Sequence, residues 1–230
     1  MPELRIIPVS GLPAVGPGDD LGTLLGEGIR GAGGLEAGDV VVVTHKIVSK
    51  AEGRFEEADD PLPVVLREAR AIRRRRGTFV IAETRHGFVC ASAGVDHSNA
   101  PADGVLVLLP VDPDASAARL REELSRAFGV RPAVIVSDSF GRAWRDGTTD
   151  VAIGVAGMRP LLDLRGTRDM RGAPLQATVI AVADELAAAA ELVMGKADGI
   201  PAAIVRGYTV PPGEASAREL VIPRERDLFP

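Results

Sequence analysis

Two short segments place carboxylate and hydroxyl side chains directly after apolar, β-branched runs. Asp138 and Ser139 follow the run 134–137, and Asp96 follows a second β-like run. A buried strand that delivers a carboxylate to its C-terminal edge commonly presents a metal ligand or an acid/base group. Because Mg²⁺ and Mn²⁺ prefer oxygen ligands, the pattern predicts that Asp96, Asp138 and Ser139 bind a divalent metal. Two structural alternatives are a helix N-cap at Asp138 and an Asx turn at Asp96.

Basic side chains near these carboxylates indicate an anionic substrate. Arg142 and Arg145 lie just beyond Ser139, and a guanidinium group pairs bidentately with phosphate or carboxylate. The segment 44–53 follows a buried-strand pattern. It carries four side chains that can donate hydrogen bonds to a phosphate group, namely His45, Lys46, Ser49 and Lys50. The segment predicts a loop that contacts phosphate, with the lysine ammonium groups as point charges. The alternative is a solvent-exposed edge of the sheet, where the lysines lay their aliphatic stems on the protein and keep their charges in water.

Composition excludes several classes of protein. The chain has 230 residues and a formal net charge of -5, which argues against a general nucleic-acid surface. Cys90 is the single cysteine and lies in an apolar run, so we expect a buried thiol and no internal disulfide. No apolar stretch has the length of a membrane span, and Met1 is not followed by a signal-peptide core. We therefore expect a cytoplasmic protein that contacts neither a membrane nor nucleic acid.

The pattern of apolar residues predicts an α+β fold with mixed sheets and packed helices. Strands are expected at 4–9, 40–44, 105–109, 134–137 and 202–205, and a hairpin at 79–84 and 87–92. Helices are expected from Leu21 to about Gly31, over 64–76, from a cap at Asp114, and over 178–194. The hairpin argues against an all-parallel Rossmann sheet. Neither a dinucleotide-binding G-x-G-x-x-G nor a P-loop follows a predicted strand, so a nucleotide would bind outside those phosphate loops.

Six stretches together resemble the coenzyme F420-0:L-glutamate ligases, or γ-glutamyl ligases. They are 38–54, 93–99, 134–142, 150–154, 183–185 and 194–202, and the resemblance spans nearly the whole chain. It implies a γ-glutamyl ligase unit over residues 1–230, as one domain or two intertwined subdomains, without the C-terminal reductase-like domain of some members. It also implies a family-specific α+β fold, neither Rossmann nor ATP-grasp, and a homodimer.

The resemblance implies a GTP-dependent ligase that joins L-glutamate to coenzyme F420-0, a deazaflavin precursor, and then adds further glutamates through γ-links. It implies two divalent ions (Mg²⁺ or Mn²⁺) and K⁺ as cofactors. GTP, L-glutamate and coenzyme F420-0 would be the partners. Because a carboxylate does not react with an amine near neutral pH, phosphoryl transfer from GTP would give an acyl phosphate that the amine attacks. The alternative is a metal-dependent phosphotransferase on a small carboxylic acid without amide formation, and a third hypothesis is a non-catalytic nucleotide-binding module.

The family's site residues match this chain position by position. The first metal would bind Asp96 and Asp138, and the second would touch Ser139. Lys50 or Arg142 would stabilise the phosphoryl oxygens. The nucleotide contacts, with Lys46 added as a local charge, match Ser10, Gly11, Leu12, Pro13, His45, Lys46, Lys50, Asn99, Gly195, Asp198 and Gly199. Some members carry an acidic residue, a candidate metal ligand, where this chain has Lys196. Asp198 is the candidate to take the role of that acidic residue in this chain. No residue stands out as the base that takes the proton of the glutamate amine.

Overall fold

A mixed five-stranded sheet forms the centre of the chain in the computed structural model, which describes residues 3–98, 100 and 102–228. The strands are β1 (Arg5–Val9), β2 (Val40–Thr44), β3 (Phe55–Glu57), β4 (Ala69–Arg76), β5 (Phe79–Thr84), β6 (Val89–Ala91), β7 (Val105–Val107), β8 (Ala133–Arg142), β9 (Arg145–Ala156), β10 (Leu162–Asp163), β11 (Val179–Ile180) and β12 (Ala202–Arg206). The helices are α1 (Leu21–Gly31), α2 (His45–Ala51), α3 (Pro61–Glu68), α4 (Pro113–Phe128) and α5 (Val182–Met194), with short 3-10 turns at Ser92–Gly94, Ala217–Leu220 and Arg224–Arg226.

The central sheet has the order β1-β12-β2-β8-β9. Only β2 and β8 run parallel, and the other neighbours are antiparallel. The four valines of β2 are fully buried, as expected for a central strand covered on both faces. Three smaller sheets, β4-β5-β6, β3-β7 and β10-β11, complete an α+β architecture. The predicted fold class is therefore confirmed.

Two separate apolar cores hold these layers together. The larger packs α1, α4 and α5 against the central sheet. The smaller joins α3 to β5 and β7 through Val64, Val65, Val80 and Leu106. Packing between β9 and α4 requires a glycine at position 154, because a Cβ there would clash with the carbonyl of Pro113 at the start of α4. Within the described part of the chain, no helix has both the length and the apolar character needed to cross a bilayer.

Several sequence predictions about the elements are wrong. The predicted loop 44–53 contains a helix, α2. The predicted helix 64–76 ends at Glu68, and 69–76 is β4, because its residues pair with β5 across a tight turn at Gly77. The last helix starts at Val182 rather than 178, since Val179–Ile180 pairs with β10. The cap of α4 is Asp112, whose Oδ1 accepts from Ala115 N at 3.0 Å.

The other predicted elements are confirmed in type. Asp20 caps α1, accepting from Thr23 N at 3.0 Å. The predicted hairpin gains a third strand, because β4 adds to the free side of β5. Asp114 has a different role from the predicted cap: it accepts from Val155 N and Ala217 N, and so ties α4 to β9 and to the C-terminal segment. Whether residues 1–230 form one domain or two intertwined subdomains stays a prediction.

Candidate functional site

The β8–β9 ribbon carries the candidate site beyond the edge of the central sheet. β2 ends at Thr44, opposite Ser137 of β8, whereas β9 accompanies β8 as far as Arg142. The ribbon residues past Ser137 therefore lie beside the start of α2, which follows β2 directly. Asp138 was predicted at the end of a strand, and this is wrong: it is an internal residue of β8, because pairing with β9 continues past it. The helix N-cap alternative is excluded for the same reason.

Asp138 contacts His45, the first residue of α2. Its Oδ1 lies 3.2 Å from His45 Nε2 and accepts a hydrogen bond from Ser139 N at 2.8 Å. The contact is close but poorly aligned, since Nε2 makes no hydrogen bond within the described residues. His45 Nδ1 lies 3.3 Å from Ser49 Oγ, one helical turn further on. The His45 ring is fully buried and approaches Asp138 from the protein interior.

Asp96 pairs with Lys46, the next residue of α2. Lys46 Nζ lies 2.8 Å from Asp96 Oδ2, and Ser98 donates to the same carboxylate from its backbone N at 2.7 Å and from its Oγ at 2.9 Å. Burial acts to raise the pKa of Asp96, but the hydrogen bond and charge of Lys46 and the bonds from Ser98 outweigh it and hold the pKa at about 2. The Ser98 contacts form the Asx turn that the sequence allowed, so the turn and an ionised carboxylate coexist at this position.

A buried network of hydroxyl groups surrounds Asp150 on β9. Ser137 Oγ donates to Asp150 Oδ2 at 2.8 Å, and Ser139 Oγ donates to Asp150 Oδ1 at 2.7 Å. Lys196 Nζ donates to Ser139 Oγ at 3.3 Å. Asp150 is not among the site residues predicted from the sequence. The signal that could have found it is cross-strand pairing, because Ser139 and Asp150 are direct partners in the register of β8 and β9.

A cleft of about 320 Å³ opens beside this network. Among the predicted site residues it is lined by Leu12, Pro13, Lys46, Lys50, Ser139, Gly195 and Gly199. Thr44, Asp150, Glu191 and Lys196 also line it. Of the predicted residues, Ser10, Gly11, His45, Asp96, Asp138, Arg142 and Asp198 do not line it, and Asn99 lies outside the described residues.

The predicted residues outside the cleft wall lie in different places. Ser10 and Gly11 precede the lining residue Leu12, and Asp198 lies between lining residues in the turn after α5. His45 and Asp138 contact each other beside the cleft wall. Arg142 is at the tip of the β8–β9 hairpin, where its Nη2 donates to Asp146 O at 3.1 Å.

The charges facing the cleft favour an anionic ligand with a bound cation. Lys46, Lys50 and Lys196 line it together with Asp150 and Glu191. Burial, followed by the charge of Lys46, lowers the pKa of Lys50. Burial, followed by the charge of Asp150, raises the pKa of Glu191. The ammonium groups on one wall of the cleft repel one another, and a bound phosphate would reduce that repulsion. A raised pKa makes a carboxylate a stronger base than usual.

The oxygen groups fit a divalent ion that arrives with a phosphate ligand. No cluster of three or more His, Cys, Asp or Glu side chains that could hold a metal occurs in the described ranges. Mg²⁺ needs only one or two carboxylates when phosphates and waters complete its octahedron. Asp138 would supply one such group, and Asp96 would supply a second once Lys46 moves from it to a phosphate. A second ion at Ser139 fits less well, because that hydroxyl already accepts from the ammonium of Lys196.

Comparison with known proteins identifies the family. The family model described as F420-0:Gamma-glutamyl ligase matches residues 11–63 and 59–207. A coenzyme F420:L-glutamate ligase of Methanothermobacter thermautotrophicus is 43% identical over 98% of this chain and 98% of its own length. A protein of the same name from Methanopyrus kandleri is 44% identical over 100% of this chain and 98% of its own. A third, from Archaeoglobus fulgidus, is 38% identical over 99% of this chain and 96% of its own. The chain therefore belongs to the F420-0:γ-glutamyl ligase family.

Proposed function

We propose that this chain joins L-glutamate to coenzyme F420-0 in a GTP-dependent reaction, adds further glutamates through γ-links, and acts in the cytoplasm in coenzyme F420 biosynthesis. The observation that carries the proposal is the lysine-lined cleft beside the Asp96 and Asp138 carboxylates, in a chain of this family. A phosphate-binding cleft and a divalent-ion site are the two parts that activation of a carboxylate by a nucleoside triphosphate requires.

The first proposed step is phosphoryl transfer. A carboxylate oxygen of coenzyme F420-0 attacks the γ-phosphorus of GTP, the bond from that phosphorus to the bridging oxygen breaks, and GDP leaves with the electron pair. Lys46 and Lys50 would neutralise the phosphate oxygens in the cleft. Lys50 is proposed in preference to Arg142 because Lys50 lines the cleft and Arg142 does not. A divalent ion held by Asp96 and Asp138 would supply charge neutralisation and alignment, as metal ions do in phosphoryl transfer generally; we assign no residue to K⁺.

The second proposed step is amide formation. The amine nitrogen of glutamate attacks the acyl carbon, inorganic phosphate leaves, and one amine proton must be removed. Glu191 is the cleft carboxylate placed to accept it, since its ordinary acidity is weakened by burial and by Asp150. No covalent protein intermediate is needed: burial, followed by the charge of Asp138, raises the pKa of the Cys90 thiol to about 12, so this cysteine is a poor nucleophile.

The test combines product analysis with trapping. The chain is incubated with coenzyme F420-0, GTP and MnCl₂, with or without L-glutamate, and the products are followed by mass spectrometry. We expect glutamylated products with glutamate, and a hydroxamate of coenzyme F420-0 when hydroxylamine replaces it. GDP release without either product would instead support a phosphotransferase, and nucleotide binding without GDP release would support the non-catalytic hypothesis.

A further inference from the structure

A second, larger cleft adjoins the same ribbon. Its volume is about 800 Å³, and Phe140 and Val151 of the β8–β9 ribbon line it. Their chain neighbours Ser139 and Asp150 line the first cleft, as expected from the alternation of side chains along a strand. The other walls come from the β4-β5-β6 sheet and from residues 220–227. The ribbon is therefore a shared wall, with one cleft against each face.

Aromatic groups line this second cleft. Phe88 and Phe140 meet edge to face, with ring centroids 6.3 Å apart. Trp144 sits at the hairpin tip, 82% exposed, with a backbone φ of 57°. A bulky residue at positive φ is strained, and such strain persists mainly where a side chain must be held in a particular position. Exposed aromatic faces on a ribbon suit stacking against a planar ring.

The rim of the second cleft is positively charged. Arg70, Arg73, Arg74 and Arg224 line it, against the acidic residues Glu83, Asp184 and Asp227. Glu83 is already paired with Arg73 at 2.8 Å and with Arg70 at 3.5 Å. Asp184 accepts a hydrogen bond from Ala152 N at 2.9 Å. A mostly apolar cavity with an arginine rim is complementary to an aromatic molecule that carries anionic groups.

Asp138, one of the two proposed metal ligands, lies near residues that belong to the walls of both clefts. Asp138 contacts His45 on the side of the first cleft, and its charge acts on Cys90 of β6. The neighbours of Cys90 on that strand and turn, Phe88 and Val89, line the second cleft. The first cleft, at about 320 Å³, is at the lower end of the sizes of small-molecule sites, roughly 300–1,000 Å³. This volume is small for a nucleoside triphosphate and a large acceptor together, which favours a separate site for the acceptor that reaches Asp138.

We propose that the second cleft binds the acceptor, a planar heteroaromatic ring with an anionic tail, and that this acceptor is coenzyme F420-0 in the proposed function on which this inference rests. The ring stacks near Phe140 and Trp144, the arginine rim holds the phosphate, and the terminal carboxylate passes the edge of the ribbon toward Asp138. Nucleotide binds on the opposite face, so the two substrates approach the metal site from different sides.

Trp144 is the only tryptophan of the chain and lines this cleft, so the tryptophan fluorescence of the protein reports on binding there. Coenzyme F420-0 is titrated into the full chain without GTP, and the indole emission is followed. We expect saturable quenching, because a conjugated ring close to an indole quenches it, and little change on titration with GDP. Arg74→Glu should weaken the binding about tenfold or more, the scale of one lost charge-assisted contact. Arg76→Glu is the matched control, an exposed arginine of the same strand outside the cleft.

Three results would overturn the inference. The first is binding of coenzyme F420-0, seen in its own fluorescence anisotropy, with no change in indole emission; this would place the acceptor elsewhere and leave the proposed ligase activity intact. The second is equal affinity of Arg74→Glu and Arg76→Glu. The third is a change of molecular mass by light scattering on Arg74→Glu alone, which would make this surface an interface between two copies. No binding of coenzyme F420-0 by either readout, together with no glutamylated product, would instead contradict the proposed function.

Discussion

Asp138→Asn is expected to slow ligation by about a thousandfold and leave the fold intact. Asparagine keeps a carbonyl oxygen where Oδ1 accepts from Ser139 N at 2.8 Å, so that hydrogen bond survives. The contact with His45 Nε2 at 3.2 Å is poorly aligned and contributes little. We therefore expect the free energy of unfolding to fall by no more than about 1 kcal/mol, the scale of one ordinary hydrogen bond.

The expected effect on catalysis is much larger. The substitution removes one unit of negative charge from the proposed cation site. At an effective dielectric constant of about 20, a unit charge acting on another about 4 Å away contributes about 4 kcal/mol. Each 1.36 kcal/mol corresponds to tenfold in rate, so ligation should slow by about a thousandfold. A loss of this size with the fold intact is what separates a metal ligand from a residue that only packs the ribbon.

Three measurements check this prediction. Product formation is followed by mass spectrometry, Mn²⁺ binding in the presence of GDP by electron paramagnetic resonance, and stability by urea unfolding. Asp59→Asn is the control, since it makes the same chemical change at an exposed position away from the cleft. Ligation within about twofold of the parent, with unchanged Mn²⁺ affinity, would refute the assignment of Asp138 as a metal ligand.

The remaining predictions concern four other features. Lys196→Glu should increase the number of Mn²⁺ ions bound per chain, because it replaces the ammonium on Ser139 with a carboxylate; an unchanged number by paramagnetic resonance contradicts this. Glu191→Gln should slow glutamylation and leave hydroxamate-trapped activation near the parent rate, and equal loss of both argues against a base. Burial raises the pKa of Asp184 above its ordinary 3.8. Ionised Asp184 therefore lowers the free energy of unfolding at neutral pH, and this cost disappears below pH 3.8, where the group is protonated in both states. Urea unfolding should therefore show Asp184→Asn more stable than the parent at pH 7 and equal near pH 3, while Asp184→Ala, which leaves Ala152 N without its acceptor, loses about 1–3 kcal/mol at both. We also expect a homodimer, and a monomeric mass by light scattering at micromolar concentration would contradict it.

The elements that were predictable from sequence are those fixed by local pattern. The four buried valines of β2 and the apolar face of α1 are visible without any knowledge of their partners. The segment 69–76 is different, because its alanines and arginines suit a helix as well as a strand. Pairing with β5 decides the outcome. A strand conformation imposed by a neighbour in this way overrides intrinsic propensity.

The sequence predicts those site residues whose importance is visible within a single segment, but not those that depend on contacts between segments. Asp138, Ser139 and Lys50 stand out because their residue types follow buried strands. Asp150 and Glu191 do not stand out, since their importance depends on cross-strand register and on the direction of α5. Long-range contacts of this kind leave no periodic signal in the chain. The second cleft has the same origin, because its walls come from segments that are far apart in sequence.

The helical form of α2, which was expected to be a loop, explains how one short segment serves two purposes. Residues four apart lie on the same face of a helix. His45 and Ser49 therefore form one buried pair against Asp138, and Lys46 and Lys50 form another pair that lines the first cleft. In an extended segment, residues four apart also share a side, but they lie about 13 Å apart, against about 6 Å on a helix, so His45 could not reach Ser49. The helix also lets Lys46 contact Asp96 while facing the cleft, so a phosphate that attracts this lysine would release the Asp96 carboxylate for a divalent ion. Nucleotide and metal binding would then be coupled through one side chain, which is the arrangement expected of a site that assembles only when its nucleotide is present.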